Sequence, residues 1–157
     1  MDWLDRMNAV MDYIEEHLAS EISYDEIARL ACTSAYHFQR MFPYVTGVTL
    51  SEYIRLRRLT DAAFMLQHTD AKVIDVALRY GYESQAAFTR AFKSLHGVTP
   101  AAACDAGVSL KAYPRMTFKI SIRGDVEMEY RIMDRPAFEM FGVAGQINGW
   151  EDPFEAV

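Results

Sequence analysis

Arg40 and Arg90 stand fifty residues apart, each inside a Phe-x-Arg-x-Phe run: Phe38-Gln39-Arg40-Met41-Phe42 and Phe88-Thr89-Arg90-Ala91-Phe92. On a helix, phenylalanines four residues apart share one face, and the arginine between them points away from it. The residues that share the arginine's face are Ala35, Tyr36 and Gln39 in the first run, and Gln85, Ala86 and Thr89 in the second. These types suit the reading of base edges in a DNA groove. Arginine forks onto guanine O6 and N7, and glutamine bonds bidentately to adenine. A tyrosine ring packs on a thymine methyl or a sugar, while helix N-termini and Lys93 position phosphates. Arg40 and Arg90 as structural salt-bridge partners is the competing reading of the same two residues.

Other chemistries find little support. His17, His37, His68 and His96 are dispersed without the spacing of metal ligands. No GxSxG, no HExxH and no phosphate-cradling glycine loop occurs. The two cysteines, Cys32 and Cys104, are too few for a disulfide scaffold and have no nucleophile context, which fits a reducing compartment. No enzymatic activity, cofactor or metal is therefore expected. No stretch approaches the roughly eighteen apolar residues of a membrane span. The N-terminus is acidic, with no apolar leader core, so a cytoplasmic, nucleoid-associated location with no membrane partner is expected.

The elements that would carry the two runs are legible around them. Apolar residues at helical spacing from Leu4 to Leu18 predict an amphipathic helix with acids on its other face. Ser23-Tyr24-Asp25-Glu26 reads as a capping box opening a short helix, and Thr49-Leu50-Ser51-Glu52 as another opening a long helix to about Gln67. Between them Ser34 is the expected N-cap of a helix that Pro43 halts. Arg58, midway along the long helix, reads as a structural ion pair. The pattern then recurs: a short helix over residues 72–80, a turn at Gly81, and a helix over 84–95 closed by Gly97. Residues 34–49 and 84–99 share seven identities in sixteen positions, namely Ser34/Ser84, Phe38/Phe88, Arg40/Arg90, Phe42/Phe92, Gly47/Gly97, Val48/Val98 and Thr49/Thr99. Upstream, Ile27-Ala28 matches Val76-Ala77. This is a duplicated helix-turn-helix unit. A linking helix of about 18 residues spans roughly 27 Å, which places two recognition helices near the roughly 34 Å of one DNA turn.

The net charge of −6 and the pI near 5.2 look hostile to such a partner. Counted by segment, residues 1–30 hold eight acids and two bases, residues 31–100 five acids and eight bases, and residues 101–157 nine acids and six bases. The duplicated unit is thus the one basic stretch, and the acidic first helix is expected to turn away from the duplex.

Residues 5–100 resemble the DNA-binding domain of the AraC/XylS family of bacterial transcription regulators. The resemblance rests on DEIARLACTSAYHFQRMF, GVTLSEYIRLRRLTDAAFML and VIDVALRYGYESQAAFTRAFKSLHGVTP, and most specifically on Val76-Ala77, Gly81-Tyr82, Phe88 to Phe92 and Gly97-Val98-Thr99-Pro100. YHFQRMF and YESQAAFTRAF look like the monomeric stress-response activators of that family, which implies RNA polymerase as a second partner. The resemblance also implies base-reading roles for Tyr36, Gln39, Arg40, Gln85 and Arg90, with Thr89 near the backbone. The chain departs from the family pattern at Pro43 (commonly Lys), Ala86 (often polar), Ala101 to Cys104 (usually an aromatic then Arg) and Cys32 (often Gly). These changes imply weaker, more degenerate binding by the second unit.

The fold class expected is mainly α: two helix-turn-helix subdomains joined by a long linking helix over residues 1–105. A linker over 106–115 and a short C-terminal β-hairpin segment follow. In 116–157 Phe118, Ile120 and Ile122, then Val126, Met128, Tyr130 and Ile132, alternate with polar residues around Gly124-Asp125. That segment resembles the opening strands of a gyrase-inhibitor-like effector-binding domain. It is expected to be a truncated, incomplete α+β domain whose longer form senses a small molecule. The alternative to DNA reading is a protein-interaction or ligand-sensing module that uses the helix-turn-helix fold as scaffold.

Overall fold

The computed structural model describes residues 2–105 and 107–119. Within them the chain forms seven helices and no strand. The hairpin expected beyond Phe118 lies outside the described residues. Helix α1 (Trp3–Glu16) opens on a reciprocal capping box: Asp2 accepts from the Asp5 N–H at 2.8 Å, and Asp5 from the Asp2 N–H at 3.0 Å. Two carboxylates at a helix N-terminus also suit its dipole.

The two capping boxes read from the sequence form only in half. Ser23 and Thr49 cap α2 (Tyr24–Ala31) and α4 (Leu50–His68) by accepting from the Glu26 and Glu52 N–H groups. The glutamate side chains turn forward instead, onto Arg29 and Arg55. A charge-assisted bond to a guanidinium outcompetes one to a neutral N–H.

The repeat is structural at both ends. Helices α3 (Ala35–Thr46) and α6 (Gln85–His96) each run twelve residues. Each is capped by a serine, Ser34 or Ser84, and closed by a left-handed glycine, Gly47 or Gly97. Inside them Phe38 and Phe42 lie 5.7 Å apart between ring centres, and Phe88 and Phe92 lie 5.5 Å apart. All four rings are fully buried, each contributing about 1.5–3 kcal/mol. Pro43 does not halt α3; the helix continues through it to Thr46. The proline removes one intrahelical donor, but Gly47 N–H still reaches the Pro43 carbonyl at 2.8 Å and Thr46 Oγ1 the Phe42 carbonyl at 2.8 Å. The buried Phe42, packed on Tyr53 of α4, keeps the last turn in place.

Short helices α2 and α5 (Val73–Arg79) precede the two twelve-residue helices, giving α2–α3 and α5–α6 as the two helix-turn-helix units. Helix α1 packs on α2, while α4 packs on α3 from one unit and on α5 and α6 from the other. A final turn, α7 (Pro100–Ala103), is capped by Thr99 as α4 is capped by Thr49, and it buries Ala103 against α4 and α6. The sequence reading does not single out this helix, because alanines carry no periodic contrast. His96, at the end of α6, is buried and donates through Nε2 to the Leu59 carbonyl of α4 at 3.2 Å; burial holds its pKa below the ordinary histidine value.

The turns of the two units superpose in their hydrogen bonds but not in residue type. Thr33 N–H reaches the Ala28 carbonyl and Tyr82 N–H the Ala77 carbonyl, both at 3.0 Å. The first turn holds Cys32 at φ +52°, where the second has Gly81 at φ +80°. A side chain in this left-handed region costs about 1–2 kcal/mol. Cys32→Gly is therefore expected to stabilise the fold by about 0.5–1 kcal/mol, after the extra unfolded-state freedom of glycine is subtracted. A shift of the urea midpoint to higher concentration checks it; a lower midpoint would contradict the strain.

Candidate nucleic-acid interface

Two serine caps and two phenylalanine stripes fix how α3 and α6 are rotated on the body, and this decides which side chains they present. Tyr36, Gln39 and Arg40 are exposed on α3; Gln85, Ala86, Arg90 and Lys93 are exposed on α6; Ala35 and Thr89 are half-buried. Every side chain selected from the sequence thus lies on the outward side of one recognition helix. The fold brings them together as two separate helix faces, one per unit.

The two faces differ in how their arginines are held. Arg40 Nη1 donates to the Tyr36 hydroxyl at 3.0 Å, and its guanidinium carbon lies 5.6 Å from the Tyr36 ring centre. The pair is exposed, Tyr36 being 69% accessible, so it orders Arg40 without removing it from solvent. Position 86 is alanine, and among the described residues Arg90 has no hydrogen bond or ion pair. The salt-bridge alternative for both arginines is not met among the described residues.

One residue of this surface is missed by sequence reading. Tyr44 is 86% exposed, two turns along α3 from Tyr36 on the same face. Taking Pro43 as a helix stop removes Tyr44 from the helix; the spacing 36, 40, 44 would have found it.

The arginines of α4 sort differently from the reading made of them. Among the described residues Arg58 makes no ion pair: its Nη2 donates to the Ser20 carbonyl at 2.8 Å, in the turn between α1 and α2. Its Nη1 lies where a Cβ on Gly81 would approach to 3.3 Å. Arg57 carries the ion pair instead. Its Nη2 lies 2.6 Å from Glu15 of α1, both side chains about 15% exposed, and its Nη1 donates to the Tyr113 carbonyl at 2.6 Å. The hydrogen bond to Glu15 raises the Arg57 pKa further. Beside it Tyr53 donates to Glu15 at 2.9 Å, and burial above all pushes this phenol up to about 12.

The acids of α1 are therefore not simply a solvated face. Glu15 holds Arg57, Asp12 pairs with Arg115, and Asp2 and Asp5 cap the helix. Much of the acidity in the first thirty residues is matched within the fold, which lowers the repulsion a polyanion would meet. Among the described residues no cluster of histidine, cysteine or acid side chains could hold a metal ion, and no helix is long and apolar enough to cross a membrane.

A sequence profile described as a helix-turn-helix domain matches residues 27–104. The chain is 45% identical over 92 residues to the uncharacterized HTH-type transcriptional regulator YbfP of Bacillus subtilis, covering 59% of this chain and 31% of that protein. It is 39% identical over 94 residues to the HTH-type transcriptional activator AarP of Providencia stuartii, covering 60% of this chain and 70% of that one. Among solved structures, the DNA-binding domain of AdpA, a global transcriptional factor in complex with a target DNA, is similar. It aligns with a TM-score of 0.55 and 30% identity over 62% of this chain and 88% of that one. The chain thus spans from about a third to about two thirds of the length of the first curated relatives it matches.

Proposed function

Since the chain belongs to the AraC/XylS family of helix-turn-helix transcription regulators, we propose that it binds double-stranded DNA sequence-specifically as a monomeric regulator. In this reading α3 and α6 enter successive major grooves on one face of the duplex. The single observation that carries it is the pair of equally capped, equally rotated twelve-residue helices with polar faces turned outward. Tyr36, Gln39 and Arg40 read bases in one groove. Gln85 and Arg90 read the other, with Ala35 and Ala86 in apolar contact and Thr89 and Lys93 on the backbone. Tyr44 extends the first face toward the sugar-phosphate backbone. The acidic α1 turns away from the duplex.

The family relation and the activator AarP support activation with RNA polymerase as the second partner. In a longer protein the segment after residue 116 would add response to a small effector. A non-enzymatic role in the cytoplasm, at the nucleoid, completes this reading.

Binding should weaken as salt is raised, because each phosphate neutralised releases condensed counterions. Lys93→Ala is expected to lower the slope of log affinity against log salt by about one while leaving base preference unchanged. Fluorescence anisotropy on a duplex drawn from a random-sequence pool measures both. A slope that is flat in the parent chain would overturn the phosphate-contacting role of this surface.

A further inference from the structure

The two helix-turn-helix units are tied to each other mainly through α4, since no helix of the first unit packs extensively on a helix of the second. Arg58 adds one lateral tie, from α4 to the Ser20 carbonyl across Gly81. On another side of α4, residues 108–118 run in extended form and antiparallel to it. The Val108 carbonyl accepts from Gln67 at 2.8 Å. Tyr113 N–H donates to Thr60 at 3.0 Å, and its carbonyl accepts from Arg57 at 2.6 Å; Met116 N–H donates to the Tyr53 hydroxyl at 3.2 Å. Positions 53, 57, 60 and 67 form one stripe of α4 at helical spacing, given over to this backbone.

The segment then passes to α1. Asn8 holds Phe118 by a reciprocal pair, accepting from its N–H at 2.8 Å and donating to its carbonyl at 3.1 Å. Asp12 pairs with Arg115, and the Phe118 ring meets Trp3 edge-on at 6.1 Å. Leu110, Tyr113, Met116 and Phe118 also pack against the core. The segment therefore follows α7, which packs on α6 of the second unit, and ends on α1, which packs on α2 of the first.

We propose that residues 108–118 are a strap that fixes the angle between the two recognition helices, with Asn8, Thr60 and Gln67 as positioning residues for simultaneous reading of two DNA elements. A single 19-residue helix can bend and twist; a second tie along its side removes that freedom. Two tethered modules bind as one only when their geometry lets both engage, so a rigid angle raises the effective concentration of the second contact. The DNA consequence rests on the proposed function; the rigidity does not.

The test uses the full chain, whose two cysteines, Cys32 in the first unit and Cys104 in the second, are both exposed and accept spin labels directly. The parent should give one narrow interlabel distance by pulsed electron resonance. Asn8→Ala with Gln67→Ala, which keeps α1 and α4 helical by propensity, should broaden it while helicity by circular dichroism stays unchanged. On duplexes enriched from a random pool, the same variant should lose about tenfold in affinity for DNA carrying both elements and keep its affinity for either element alone. It should also tolerate added base pairs between the elements better than the parent. An unchanged distance distribution overturns the strap, whatever the chain does with DNA. Equal losses on one-element and two-element DNA also overturn it, because they mark general destabilisation. If the distances broaden but the parent binds no duplex, the strap stands and the DNA reading falls.

Discussion

Arg57→Ala is expected to destabilise the protein by about 3 kcal/mol, the lower end of the range for removing one partner of a buried ion pair, because both side chains of this pair keep about 15% of their surface exposed. Two groups lose this partner at once, the Glu15 carboxylate and the Tyr113 carbonyl, and Glu15 keeps only the Tyr53 hydroxyl as a side-chain donor. Glu15, only about 14% exposed in the intact pair, would lose its principal countercharge, and a largely desolvated charge left unpaired is what makes the loss large. Arg55→Ala, two residues earlier, is the internal comparison. Its pair with Glu52 is about 40% exposed on both sides, and exposed pairs contribute about 1 kcal/mol or less. Urea denaturation of both variants checks the contrast. Similar midpoints for the two would contradict the role given to Arg57.

The second large effect is on recognition. Arg40→Ala and Arg90→Ala should each cost about 1–3 kcal/mol of binding at a preferred site and relax selectivity at the bases each reads. Stability should change little, since both side chains are exposed and neither has an ion-pair partner among the described residues. Arg40 should show the sharper base preference, because the Tyr36 hydroxyl and ring order it before DNA arrives, and a preordered side chain loses less entropy on binding. Arg90, facing Ala86 where Arg40 faces Tyr36, has no such support. Weaker binding by the second unit, the outcome that Ala86 implies, is therefore expected in the same measurement.

What could be read from the sequence was the part that repeats. Ser34 and Ser84, Gly47 and Gly97, and the paired phenylalanines mark the ends and buried faces of both recognition helices twice. Local rules of capping and periodicity suffice there. Reading failed where a stronger partner, remote or near, overrides a simple local rule. Pro43 should end α3, but Phe42 is locked into the core behind it and Gly47 closes the helix one turn later. Glu26 and Glu52 should complete capping boxes, but arginines three residues on are better partners. In the run Arg55-Leu56-Arg57-Arg58, only Arg55 has a local partner, Glu52; nothing local separates Arg57 from Arg58, since Glu15, Tyr113 and Ser20 are remote in sequence. The placement of residues 108–118 is hidden for the same reason: apart from the Arg115 pair, their hydrogen bonds to α1 and α4 use their own main chain, which every sequence has.

Selection of bound duplexes from random DNA by the parent chain, Arg40→Ala and Arg90→Ala tests the central claim most directly. Two helices reading successive major grooves should enrich two blocks of preferred bases about 10 base pairs apart, centre to centre. Arg40→Ala should blur one block and Arg90→Ala the other. A single block in the parent, or two blocks left intact in both variants, would contradict reading by α3 and α6 together.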